Sequence, residues 1–336
     1  MSDTKNDNDS SDLNLYFYSP STAAAVIFSV LYFLLTLWHG YINFVATRHA
    51  TYKHKYTIPL FVACVISTAG WSIRNASIHD LDSIPLYAVS ASYIVISPIF
   101  VCATLYLLLT RLIRTSLPAE DGQHQQVFFR IRPGWLGRLF TTSDIVSFLT
   151  QCSGSGIASS GNWEGDLKTV GTNVLLVGLS LQLATFTVFL VVLGRFVRRV
   201  SLRGAKDSGG AAAAAWDPRV RKVVWAVWIA GFWIQIRSIY RVVEFGMGID
   251  GYPFTHEWCL YVLEALPMFI ALTALALYHP VKYMPQQKPQ TTTTTTEYAL
   301  HENTHGRRGH ARRSKGTHRI GLDKTKPGFA NTNSAV

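Results

Sequence analysis

Seven long apolar stretches recur along this chain, separated by short polar segments, and they restrict its fold more than any other feature. A bilayer crossing needs about 20 predominantly apolar residues, and each stretch reaches that length. Only 15% of the residues are charged, against about 25% in soluble domains. A backbone in lipid must satisfy its own hydrogen bonds, so segments of this length predict helices and not barrel strands. The predicted spans are 22–46, 57–78, 85–110, 139–160, 169–194, 223–243 and 257–279.

The predicted fold class is all-α: a polytopic membrane protein whose seven transmembrane helices occupy residues 22–279. The fourth span is the most polar, because it carries Asp144, Gln151 and a run of Ser and Gly. Residues 1–21 form an N-terminal tail. Residues 280–336 are polar, basic and of low complexity, which predicts a disordered tail.

The distribution of Lys and Arg predicts the orientation. Alternate polar segments carry 26 of these residues on one side of the predicted bundle and 2 on the other, and 3 more lie inside spans. The basic side is predicted to be cytoplasmic, so the N-terminus is outside and the C-terminus is in the cytoplasm. The net charge of +11 is then a topology signal and requires no nucleic-acid partner. Contact of the basic loops with anionic membrane lipids is a further hypothesis.

Six ionisable residues are predicted to share one layer near the outer helix ends. Positions 237, 241 and 244 follow helical i, i+4, i+7 spacing, and so do positions 257, 261 and 264 of the last span. Two interpretations are open: a charge-paired lock between helices, or an outward-facing vestibule that binds a ligand head group. The six candidate substrate-binding residues are Arg74, Arg237, Arg241, Glu244, Glu257 and Glu264.

Further polar residues are predicted deeper in the bundle. His39, Asn43 and Asp144 lie at similar depth near the inner side, and a contact between His39 and Asp144 would permit a protonation-linked step. Gln151 and Gln182 lie near the midplane on neighbouring helices, where an amide contact would contribute about 1 kcal/mol. Without these contacts, the same residues would only hydrogen-bond within the bundle.

The absence of several motifs narrows the function. The sequence has no GxxxxGK[ST] loop for ATP, no lysine in the last span for a retinal Schiff base, and no converging set of zinc ligands. We therefore predict no cofactor, no bound metal and no enzymatic activity.

The ordered motifs resemble the fungal lipid-translocating exporter family, seven-span proteins related to the aminocholesterol-resistance proteins of yeast. The resemblance runs from about Tyr16 to Pro280, and its most specific piece is Ile236–Phe245. Glu264 stands where many family members have Asp, which keeps the charge but lengthens the reach. Other matching positions are Tyr16–Ser21, His39, Gly70–Arg74, Pro98, Ala103, Tyr106, Arg111, Asp144, Ser147, Gln151, Gly154, Gly178, Leu179, Gln182, Gly248, Gly251, His256, Glu257, Tyr261 and His279.

The resemblance implies a membrane protein that moves or exports amphiphiles such as sphingoid long-chain bases, or that confers resistance to toxic lipophilic compounds. It implies a location in the plasma membrane, with an endomembrane as the alternative. The expected partners are an amphiphilic small molecule and membrane lipids. A seven-helix receptor or sensor that signals through its cytoplasmic loops is the competing hypothesis, since the predicted topology and the basic 195–222 loop suit it equally well.

Overall fold

The computed structural model describes residues 20–45, 57–80, 83–116, 133–160, 165–207, 218–248 and 251–279. Nearly all of these residues are helical, and no strand occurs among them. Two π-helical turns among these residues continue α-helices: Tyr41–Val45 extends the first helix, and Tyr261–Ala265 joins Glu257–Leu260 to Leu266–Leu277. We call the continuous Glu257–Leu277 segment the last rod. The helices are α1 (Thr22–Gly40), α2 (Ile58–His79), α3 (Ile84–Ser116), α4 (Pro133–Ser160), α5 (Gly165–Asp207), α6 (Pro218–Gly246), α7 (Tyr252–Thr255), α8 (Glu257–Leu260) and α9 (Leu266–Leu277).

Each predicted span falls largely within one helical segment, but several helices extend beyond it. Helix α5 continues to Asp207, past the predicted end at 194, and α3 continues to Ser116, past 110. The predicted ends follow the loss of apolar character, whereas Arg and Lys are good helix formers and let a helix continue into water. The predicted tail at 280–336 lies outside the described residues, as does the predicted N-terminal tail up to residue 19.

Within the described residues, five segments are long and apolar enough to cross a membrane: Thr22–Val45, Pro85–Ile113, Gly165–Leu202, Pro218–Gly246 and Glu257–Leu277. Helices α2 and α4, of 22 and 28 residues, are not among them. Both are long enough to cross, since 22 residues of α-helix span about 33 Å.

The outer surface of the bundle is apolar, as lipid contact requires. On α1 the side chains of Ile27, Phe33, Leu34 and Leu37 are each more than half exposed. Monomeric soluble proteins rarely expose such a continuous apolar stripe. The polar side chains described below lie inside the bundle instead.

Helices α4 and α5 form a hairpin whose backbones touch at glycines. A Cβ added to Gly154 would lie 2.5 Å from the Leu175 nitrogen, and one added to Gly171 would lie 2.5 Å from the Ala158 nitrogen. Small residues permit this close approach of membrane helices. The hairpin is therefore held by backbone-to-backbone packing along its length.

Candidate functional site

The centre of the candidate site is an ion pair between α6 and the last rod. Arg237 donates from Nη2 to Oε1 of Glu264 at 2.8 Å. Both side chains are almost fully buried, with 6% of Arg237 and 1% of Glu264 exposed. Buried charges require partners because removing them from water is costly, and here each supplies the other's counter-ion.

Arg241 extends this pair into a network of two carboxylates. Its Nη1 donates to Oε2 of Glu244 at 2.8 Å and to Oε2 of Glu264 at 3.4 Å. The other oxygen of Glu244 accepts from the Tyr240 hydroxyl at 3.1 Å. We call Arg237, Arg241, Glu244 and Glu264 the charge cluster. Its members on α6 share one face because they follow i, i+4, i+7 spacing, as the sequence predicts.

Of the two remaining predicted members of the outer layer, Arg74 interacts with the charge cluster and Glu257 contacts the start of α1. Arg74, buried on α2, interacts electrostatically with the carboxylate of Glu264. Glu257 accepts two hydrogen bonds from the Ser21 amide, at 2.8 and 3.0 Å, and so joins the start of the last rod to the start of α1.

The π turn explains why Glu257 and Glu264 have different surroundings. Leu266 donates its backbone N–H to the carbonyl of Tyr261, which is a five-residue step instead of the four of an α-helix. Regular i, i+4, i+7 spacing no longer defines one face across such a turn, and π turns occur often at functional sites. Pro267 follows directly and donates no backbone hydrogen bond.

A small enclosed cavity lies directly against the Arg237–Glu264 pair. Its volume is about 10 Å³, the lower limit for one water molecule. The cavity is too small for a head group, so in this conformation the charge cluster is a closed, charge-paired contact. The lining residues are Tyr32, Ser67, Trp71, Ile94, Ser97, Arg237, Glu264, Ala265 and Met268.

Aromatic rings lie beside the cavity. Tyr32 stacks on Trp71 with ring centroids 6.2 Å apart, and Phe28 stacks on Tyr261 at 5.4 Å. The Tyr32 hydroxyl donates to the Ala265 carbonyl at 2.8 Å and so fastens α1 to the π turn. Tyr32 was not predicted as a site residue, and Trp71 entered the prediction only within the Gly70–Arg74 motif, because no spacing distinguishes them from ordinary core aromatics.

Arg237 also uses a backbone acceptor that the sequence could have indicated. Its Nη2 donates to the carbonyl of Ile94 at 3.3 Å. Pro98, four residues later in α3, has no N–H to donate to that carbonyl within the helix. The proline therefore marks the position of a polar backbone group on the cavity wall.

The predicted contact between His39 and Asp144 is wrong. Nε2 of His39 bonds the Leu272 carbonyl at 3.3 Å, and its ring lies 5.6 Å from that of His279. Asp144 instead accepts from the Tyr106 hydroxyl at 2.7 Å. Helix α1 packs mainly on α2 and α9, whereas α4 packs on α3 and α5, so similar depth does not bring the two side chains together.

The other predicted polar residues have defined partners. Asn43 donates to the His39 carbonyl at 3.0 Å and accepts from the Thr57 hydroxyl. Gln151 donates from Nε2 to Oε1 of Gln182 at 2.9 Å, so the predicted amide contact is confirmed. Among the described residues, no group of three or more His, Cys, Asp or Glu side chains could hold a metal ion.

Together the apolar exterior, the helical segments and the buried charge cluster define a helical integral membrane protein with an ionic site inside its bundle. The model of the family described as "RTA1 like protein" matches residues 60–287. The chain therefore belongs to the RTA1-like family.

The chain is similar to three proteins from Saccharomyces cerevisiae, two of which are named for transport. Protein RTM1 is 28% identical over 308 residues, covering 79% of this chain and 91% of the relative. Protoporphyrin uptake protein 1 is 26% identical, covering 78% and 91%. Sphingoid long-chain base transporter RSB1 is 24% identical, covering 74% and 70%. No solved structure matches the chain.

Proposed function

We propose that the chain crosses the membrane seven times, with its N-terminus outside and its C-terminus in the cytoplasm. The ratio of 26 to 2 for Lys and Arg on the two sides supports this topology. Residues 22–279 then form the membrane domain, residues 1–21 an outer tail, and residues 280–336 a cytoplasmic tail. The two more polar helices, α2 and α4, cross with their ionisable groups Arg74 and Asp144 buried against other helices.

Within this topology, the protein is a transporter of amphiphilic lipids such as sphingoid long-chain bases, located in the plasma membrane. Export of toxic lipophilic compounds by the same route would give resistance. Two relatives are named an uptake protein and a transporter, which supports transport, and neither name denotes an enzyme. The observation that carries the proposal is the buried charge cluster, since ionisable side chains inside a membrane bundle usually mark a substrate or ion pathway.

The charge cluster is the head-group site in this proposal. Counting Arg74 and Glu257, the outer layer has three Arg and three Glu, so it is neutral when all six are ionised. An ammonium head group can replace Arg241 at Glu244 and Glu264 without leaving a buried carboxylate unpaired. Arg241 is the cluster member to be displaced, because 14% of it is exposed against 6% of Arg237. An anionic head group would pair with the displaced arginine.

The polar residues deeper in the bundle would serve the amphiphile after it leaves the outer layer. Gln151 and Gln182 lie on the way to the inner side, where His39, Asn43 and Asp144 provide further polar groups. Because His39 and Asp144 have different hydrogen-bond partners, each contacts the amphiphile separately in this proposal, and the two do not share a proton.

The test is reconstitution into liposomes with a fluorescent sphingoid base. Glu264→Gln should lower protein-dependent movement about tenfold or more, because one carboxylate charge of the head-group site is lost. Asp166→Asn is the matched control, since it removes an exposed carboxylate in the first turn of α5 and should leave movement unchanged.

Two results would contradict the proposal in different ways. Unchanged movement in Glu264→Gln would remove the charge cluster from the pathway. No movement by folded wild-type protein, with several lipid probes, would favour the receptor or sensor acting through the basic segment 195–222, most of which belongs to the ends of α5 and α6.

A further inference from the structure

A groove lies on the outside of the bundle between α5 and α6, and it shares no lining residue with the cavity at the charge cluster. Its volume is about 420 Å³. Apart from Thr187 and two arginines, its walls are apolar. The lining residues are Thr187, Leu190, Val191, Gly194, Arg195, Arg198 and Trp228.

Close helix contacts bound the groove at its apolar end. Gln235 of α6 donates to the Thr187 hydroxyl at 2.9 Å, and a Cβ at Gly231 would lie 2.7 Å from a Leu190 methyl. At Gly194 the missing side chain leaves space: a Cβ there would meet only the Trp228 ring, at 3.6 Å.

Positive charge lies at the other end of the groove. Arg195 and Arg198 are one helical turn apart on α5, both are exposed, and no acidic residue is among the lining residues. From Thr187 to Arg198 the helix rises by roughly 16 Å, a distance that an acyl chain can follow.

We infer that this groove binds one anionic phospholipid of the cytoplasmic leaflet, with an acyl chain along Leu190, Gly194 and Trp228 and its phosphate at Arg195 and Arg198. The inference rests on the proposed topology, which places the arginine end at the cytoplasmic surface, but not on the proposed transport. Anionic lipids are concentrated in that leaflet, and each nearby basic residue strengthens their binding. Trp228 lies beside Gly194, the last residue of the predicted fifth span, and in the proposed topology this is near the interface, where tryptophans are enriched.

The experiment uses the full chain in detergent micelles with brominated lipids, which quench tryptophan fluorescence on contact. The Trp228 signal is the difference between wild type and Trp228→Phe. We expect brominated phosphatidylserine to quench it at concentrations about tenfold lower than brominated phosphatidylcholine does. Equal quenching of the Trp228 signal by the two lipids would overturn the proposal.

Three further variants separate charge from shape. Arg195→Gln with Arg198→Gln should remove the preference for phosphatidylserine. Arg199→Gln is the matched control, because it removes the same charge one residue away and does not line the groove. Gly194→Leu keeps both charges and fills the space beside the Trp228 ring, so it should weaken quenching by both lipids. Unchanged quenching in the double arginine variant or in Gly194→Leu would overturn the site. Dimerisation that protects Trp228 from quenching would also overturn the site, because a second copy of the chain would then occupy the groove.

Discussion

Arg237 binds the carbonyl oxygen of Ile94, an acceptor that has lost its usual helical donor because Pro98 stands four residues later. The same nitrogen, Nη2, also donates to Glu264. One arginine therefore connects α3, α6 and the last rod. The acceptor on α3 is available because Pro98 has no N–H to donate to it.

Replacing this proline should loosen Arg237 without unfolding the bundle. Pro98→Ala introduces an N–H at position 98 that can donate to the Ile94 carbonyl within α3. Arg237 must then compete with it for that carbonyl. We expect lipid movement in liposomes to fall several-fold while the free energy of unfolding changes by about 1 kcal/mol or less. Pro85→Ala is the control, because proline in the first turn of a helix interrupts no helical bond. Equal effects of the two substitutions would contradict this role of Pro98.

A paired replacement distinguishes a structural lock from a head-group site. Glu264→Leu alone leaves Arg237 buried without its carboxylate and should cost about 3–5 kcal/mol of stability. Adding Arg237→Met should recover most of that loss, since an apolar pair of similar volume often replaces a buried ion pair without penalty. The measurement is the unfolding midpoint in detergent together with lipid movement. If the double variant regains stability but not movement, the charge cluster acts on the substrate. If stability and lipid movement both return, the ion pair serves only to hold the helices together.

Glycine packing in the α4–α5 hairpin gives a steric prediction. Gly171→Ala would place a Cβ 2.5 Å from the Ala158 nitrogen, so the helices must separate and stability should fall by about 1–3 kcal/mol or more. Gly156→Ala in the same hairpin adds a Cβ with nothing within 4 Å. In thermal unfolding, the Gly156 variant should match or exceed the wild type. A larger loss for Gly156→Ala than for Gly171→Ala would contradict the packing described.

Tyr106→Phe tests the buried partner of Asp144. The substitution removes only the hydroxyl that donates to the carboxylate, and we expect a loss of about 1–2 kcal/mol. Tyr41→Phe, at an exposed ring, should be neutral within about 0.5 kcal/mol. Both are measured by the same chemical denaturation. A neutral Tyr106→Phe would show that Asp144 does not depend on this donor.

The helices and the depth of their polar residues could be predicted from the sequence. Apolar length locates the helices, and the rise per residue places Arg237 and Glu264 at comparable depth, where they do pair. The same reasoning succeeds for Gln151 and Gln182, because sequence-adjacent helices usually pack together.

What the sequence could not provide was the lateral order of the helices and the local winding of the backbone. His39 and Asp144 lie at similar depth, but no periodicity says which helices are neighbours, and each found another partner. The π turn at Tyr261–Ala265 changes the winding between Glu257 and Glu264, and only the neighbouring Pro267 hints at it. The place of Tyr32 and Trp71 in the cavity wall was missed for a related reason: both side chains also contact the last rod, Tyr32 at Ala265 and Trp71 at Tyr261, which is far from them in sequence.

The glycine contacts between α4 and α5 also limit how the bundle can change shape. Two backbones in direct contact cannot slide past one another without forcing atoms together, so the hairpin behaves as a fixed frame. Displacements that open the charge cluster must then occur at the interface between α6 and the last rod, where charged side chains meet. The rigid α4–α5 hairpin is thereby distinct from α6 and the last rod, which can move apart.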